Sequence, residues 1–183
     1  MVGEFKPARG NMTQMLVMVD KFTKWIEVKP IQKVDGHSAV VFLKEIILRY
    51  GYPRRIITDN GTNFDVGEFA RFYMNKGIQL DIASMEHPES NGQVERSNAL
   101  VLAGIKARLI DPLEKTPGCW IDEIPLVLWG LRTTPNRSTG YTTFFLVYGA
   151  EAVLPTNIEY DAPRVTLLLK PRQKRPGKMQ WIC

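Results

Sequence analysis

Cysteine, histidine and long apolar runs are all scarce in this 183-residue chain. Its two cysteines, Cys119 and Cys183, exclude a disulfide-stapled scaffold. With His37 and His87 they are too scattered to form a two-His, two-Cys zinc module. The longest apolar stretch, Ile124–Leu131, is interrupted by Pro125 and Gly130 and falls far short of the ~18 residues of a membrane helix. No basic-then-apolar leader opens the sequence. The expectation is a nuclear or cytoplasmic protein with no membrane partner.

Acid is missing from one end. From Arg164 onward there are six basic residues and no acidic one, whereas residues 1–163 hold 18 basic against 19 acidic. The net charge of +5 is therefore a property of the tail. A basic total would normally suggest nucleic acid, but here any such role must come from a site. Lys170–Gly177 (KPRQKRPG) has the proline and charge of a disordered segment, although Lys170–Arg175 also reads as a nuclear signal. The expected organisation is one domain over 1–163 and a basic disordered tail over 164–183. An apolar share of 44% with 23% charged is enough to build an ordinary globular core in that domain.

Periodicity gives the elements. Met1–Phe5 reads as the end of a strand, followed by a loop over Pro7–Asn11. Gln14–Val19 and the alternating Lys24–Lys29 form a hairpin about an Asp20–Thr23 turn. His37–Tyr50 has helical spacing and is stopped by Gly51. A brief buried strand, Arg54–Thr58, ends at Asp59-Asn60-Gly61. A helix over Val66–Lys76 and a strand over Ile78–Ile82 precede a polar loop, Ala83–Gln93. Helices are expected over Val94–Ile110, Trp120–Arg132 and Thr142–Tyr148. The order implies an α/β fold, a mixed sheet flanked by helices.

Two acids stand out. Asp59 ends a buried strand, where open α/β sheets place ligands, though Asp-Asn-Gly is also a good tight turn. Glu95 opens a helix, where an acid is favoured by the dipole alone. Between them lie 35 residues, and both are framed by polar, glycine-containing loops. This spacing, with the words Ile56–Phe64 (IITDNGTNF), His87–Arg96 (HPESNGQVER), Trp129–Pro135 (WGLRTTP), Leu146–Gly149 (LVYG), Phe22–Trp25 (FTKW) and Pro7–Gly10 (PARG), resembles gypsy-type LTR-retrotransposon integrases. The likeness runs in unbroken order from Met1 to about Pro155.

The resemblance implies a ribonuclease-H-like fold whose carboxylates hold two Mg²⁺ ions, with Mn²⁺ as an alternative. It implies DNA integration: ends trimmed with water as nucleophile, then strand transfer by the freed 3′ hydroxyl. Partners would be element-end and target DNA and further copies of the chain. Asp59 matches the family's second Asp and Glu95 its Glu, so both are expected as catalytic metal ligands. The family's first Asp sits directly before the segment matching Met1-Val2-Gly3, so the first strand is expected to be truncated. A catalytically inactive relic that folds and binds DNA or dimerises is the alternative. Asp20 is expected to cap a turn, not to replace that ligand.

DNA contacts are expected from His87 (or it is a solvated loop residue), from Asn91 (or it caps a helix, as Ser90 could) and from Lys106. Asn98, one turn beyond Glu95 on the same face, is either a partner of the site or ordinary surface. Several departures from the family should weaken DNA binding. Glu86 and Glu89 replace an aromatic and an amide around His87-Pro88, and Ala99 and Ala103 stand on a stretch where relatives often carry Lys or Arg. Thr143 replaces a proline, which bears on a helix start.

Overall fold

The computed structural model describes residues 2–58, 67–82, 92, 95–104, 119–137 and 139–155. Strands β1 (Val2–Ala8), β2 (Met12–Val19) and β3 (Ile26–Ile31) form an antiparallel sheet in that order. Helix α1 (Gly36–Tyr50) leads to β4 (Arg55–Thr58), and α2 (Glu68–Asn75) to β5 (Gln79–Ile82). β4 and β5 pair in parallel, Arg55 opposite Gln79 through Thr58 opposite Ile82. A helical segment over 95–104 follows, then α3 (Trp120–Thr133) and α4 (Thr143–Tyr148). The expected α/β class holds, with both antiparallel and parallel pairing; among the described residues these are two separate ladders.

Proline positions explain where the strands differ from expectation. β1 continues through Pro7 to Ala8, with a register shift between Gly3 and Ala8, where a loop was expected from Pro7. β3 likewise runs on through Pro30, opposite Met15. Both are outer strands of the three, where a missing N–H that faces away from β2 costs no ladder bond. The β2–β3 turn closes with Val19 opposite Ile26, as the hairpin reading requires.

Both faces of the antiparallel sheet are covered. Met15 is wholly buried on one face with Ile26, Val101, Trp120, Ile124, Val127 and Leu128. Its neighbour Leu16 points the other way, into a cluster with Ile31, Phe42 and Ile46 of α1. This is the two-residue period of a strand. An adjacent side of α1 packs through Val40 and Leu43 against Phe69, Ala70 and Tyr73 of α2. So α1 and α2 lie on one side of the molecule, and α3 and the 95–104 segment on the other.

Caps set the helix ends. Asp35 accepts the Ser38 N–H at 2.7 Å before α1, and Gly51, at φ 86°, returns its N–H to Ile47. That positive φ requires glycine. α2 starts at Glu68 after Gly67, inside the expected Val66–Lys76 span. Thr142 caps α4 by accepting the Phe145 N–H at 3.0 Å. The loop over 83–91, the helical reading beyond 104 and the whole 164–183 tail lie outside the described residues.

Candidate functional site

β4 stops at Thr58, so its next residue, Asp59, follows the carboxyl end of a parallel strand pair. Asp59 itself lies outside the described residues, as do His87, Asn91 and Lys106. Glu95 and Asn98 are described, both in the helical segment 95–104. The Glu95 side is exposed, while Ser97 and Val101 are buried, so the segment docks along one face and presents Glu95 from another. Asn98 is half-buried, and its Oδ1 is buried with no hydrogen-bond partner among the described residues. An orphaned acceptor one turn from Glu95 is costly unless something polar reaches it.

A carboxylate is a hard oxygen donor suited to Mg²⁺ or Mn²⁺. Glu95 has that chemistry, and no ion pair engages it among the described residues. No group of three or more candidate ligands converges among the described residues, where Asp59 cannot be counted.

Asp20 behaves as a turn cap. Its Oδ2 accepts both the N–H and the Oγ1–H of Thr23, each at 2.7 Å, and its own N–H donates to the Trp25 carbonyl at 2.9 Å. As a metal ligand it would have Oδ1 to offer while Oδ2 holds this turn.

Glu27 is the acid that sequence reasoning passed over. In an alternating, half-exposed strand it belongs on the solvent side, yet it is 6% exposed because β3 is covered on both faces. Its oxygens accept from Trp25 Nε1 at 2.7 Å, Tyr50 Oη at 2.6 Å and Arg49 Nη1 at 2.8 Å, and Arg132 Nη2 lies 3.1 Å away. Burial pushes its carboxyl pKa up. The hydrogen bonds from Tyr50 and Trp25, the Arg132 charge and the Arg49 bond outweigh this and leave it below the ordinary carboxylate value. Burial and the bond to Glu27 push the Tyr50 hydroxyl up to about 12. The available signal was an acid between Ile26 and Val28, with arginines at the ends of two helices.

The sequence pattern of the integrase core domain matches residues 2–88. The chain is 32% identical over 154 residues to the Pro-Pol polyprotein of simian foamy virus type 3 (strain LK3) and 31% identical over 161 residues to the Pol polyprotein of feline endogenous virus ECE1. These matches take in 84% and 87% of the chain. The chain carries an integrase core domain of the retroviral type. It spans only 13% and 15% of the length of those two polyproteins.

The same integrase-core fold is seen in solved structures. The HTLV-2 integrase catalytic core domain in complex with magnesium, in its trimeric form, superposes with a TM-score of 0.62 at 23% identity, over 77% of this chain and 89% of that one. A chain of the simian T-cell lymphotropic virus intasome in complex with PP2A regulatory subunit B56 gamma gives 0.67 at 21% identity, over 82% of this chain and 53% of that one. Within this integrase core, Thr143 stands at the first position of α4, where its hydroxyl donates to the Arg132 carbonyl at 3.4 Å. The proline it replaces has no N–H to lose at a helix start, so the exchange is structurally mild.

Proposed function

We propose that this integrase core is of the gypsy LTR-retrotransposon type and serves Mg²⁺-dependent DNA end cleavage and strand transfer in the nucleus, as part of a homo-oligomer on DNA. The observation that carries the reading is Glu95: an exposed carboxylate on a helical segment whose other face is anchored by the fully buried Val101. Its sequence partner, Asp59, directly follows β4. A rigid mount for one ligand and a strand end for the other is what a preorganised site needs.

In this reading Asp59 and Glu95 hold the divalent ion through carboxylate oxygens, with Mn²⁺ able to substitute. When bound, the ion supplies charge stabilisation to an in-line displacement at a phosphodiester. Asn98, with its orphaned oxygen, is assigned to hold a water or ligand donor beside Glu95. His87, Asn91 and Lys106 are assigned to the DNA path, where each cationic contact adds affinity by releasing counterions.

The second reading is a folded, DNA-binding or dimerising relic without catalysis. It is favoured by Glu27, which its four donors occupy, and by Asp20, whose Oδ2 holds the turn to Thr23; neither joins a group of three candidate ligands among the described residues.

A strand-transfer assay on element-end DNA with Mg²⁺ or Mn²⁺ separates the readings. The 183-residue chain is compared with versions preceded by a relative's first strand, with and without its Asp. Positioning and charge stabilisation dominate phosphoryl transfer, so the chain alone should be silent and activity should appear with that Asp. Silence in all versions supports the relic. Equal activity with and without it, abolished by Asp20→Asn, contradicts both.

A further inference from the structure

The helical segment 95–104 meets α3 at a point with no spare room. A Cβ on Gly104 would lie 2.6 Å from Val127 Cγ1 and 3.3 Å from Cγ2. Carbon contacts settle at about 3.5–4.0 Å, so a side chain at 104 would have to push the two helices apart by about 1 Å. Val127 has little freedom to yield. It is 5% exposed and shares its cluster with Val101, Trp120, Ile124 and Leu128. Being β-branched in a helix, it also has one strongly preferred rotamer.

Ser97, Val101 and Gly104 follow one another at helical spacing along a single seam, the first two being buried. Glu95 sits at the opposite end of this segment from Gly104, at a separation of roughly 13 Å for nine residues of α-helix. A helix that short is stiff, so a shift or tilt imposed at Gly104 is carried to Glu95. Close approach at Gly104 thus sets how deeply the segment seats on α3, and with it where the Glu95 carboxylate stands.

We propose that Gly104 is a positioning residue for Glu95, its lack of a side chain letting the segment seat where any Cβ at 104 would strike Val127. The proposal rests on the reading of Glu95 as a divalent-cation ligand. Without the contact, Gly104→Ala would be expected to strengthen an exposed helix; with it, the same change displaces the carboxylate.

The test uses the full chain and four forms: unsubstituted, Gly104→Ala, Val127→Ala, and the double variant. NMR reads the amide shifts of residues 95–98 without metal and the Mn²⁺-induced broadening of Glu95, and a melting curve is recorded for each. Gly104→Ala should move the 95–98 shifts and weaken Mn²⁺ broadening by about tenfold, the scale on which disturbed ligand support acts. Val127→Ala should lower the melting temperature through its cavity while leaving Mn²⁺ affinity unchanged. The double variant should regain both the shifts and the affinity while still melting early. Affinity that follows melting temperature across the four forms overturns the proposal, as do 95–98 shifts unmoved by Gly104→Ala. Absence of broadening in the unsubstituted chain overturns the ligand reading instead, and the metal-free shifts still decide the seating role of Gly104.

Discussion

The Arg132 guanidinium lies 4.1 Å from the centre of the Trp25 ring while its Nη2 stands 3.1 Å from Glu27 Oε1 and 2.7 Å from the Ile26 carbonyl. One side chain at the end of α3 thus binds the start of β3 through a carboxylate and a backbone oxygen, and the tryptophan just before it through an aromatic face. Removing one member of a buried ion pair leaves the other uncompensated, at a cost of roughly 3–5 kcal/mol. Glu27→Gln keeps the shape but strips the charge that faces two guanidinium groups. Urea unfolding should show a loss of about 3 kcal/mol; a change below about 1 kcal/mol, the scale of a surface pair, would mean that Glu27 is effectively solvated.

The same cluster predicts how stability depends on pH. The Glu27 carboxyl is lowered in the folded state, so its contribution is fully present above the unfolded value near 4.5 and lost as pH falls below it. Tyr50 is raised from 10.0 to about 12, so its contribution is present below pH 10 and lost as pH climbs towards 12. Melting temperature against pH should therefore fall at both ends. Glu27→Gln should flatten the acid limb and Tyr50→Phe the alkaline one.

Asp35 caps α1 through the Ser38 N–H, and that hydrogen bond is the main reason its carboxyl is held low. Asp35→Ala should cost about 1 kcal/mol, the usual value of an N-cap. Asp35→Asn, which can still accept the bond, should lose less. Equal losses in the two unfolding curves would mean that charge matters here more than the cap.

The hairpin, α1 with its glycine stop, the β4 and β5 strands, α3 and α4 were legible because apolar spacing and turn residues agree in each. Boundaries failed where tertiary position decides. Pro7 and Pro30 look like breakers until they are known to lie on outer strands. Glu27 looks solvent-facing until α1 and α3 cover both sides of the sheet. Of the candidate site, Glu95 was legible as an acid at the start of a helical stretch, and the structure adds that it is exposed on an anchored segment. The close approach at Gly104 was not legible, because glycine spacing within a helix does not reveal which neighbour stands opposite.

If DNA runs past the His87 loop, Glu86 and Glu89 oppose it by charge repulsion. Replacing both with Gln should tighten binding to a DNA duplex at low salt, and the gain should shrink as salt is raised. Fluorescence anisotropy at several salt concentrations checks this. An unchanged affinity would place the loop away from the phosphates.

Asp59 and Glu95 are assigned to one cation site. Two converging carboxylates attract a cation that neither would hold well alone. Calorimetric titration of the full chain with Mg²⁺, alongside Asp59→Asn and Glu95→Gln, tests this most directly. One weak site that either substitution abolishes is the expected result. Two tight sites, or a site that survives loss of either carboxylate, would contradict it.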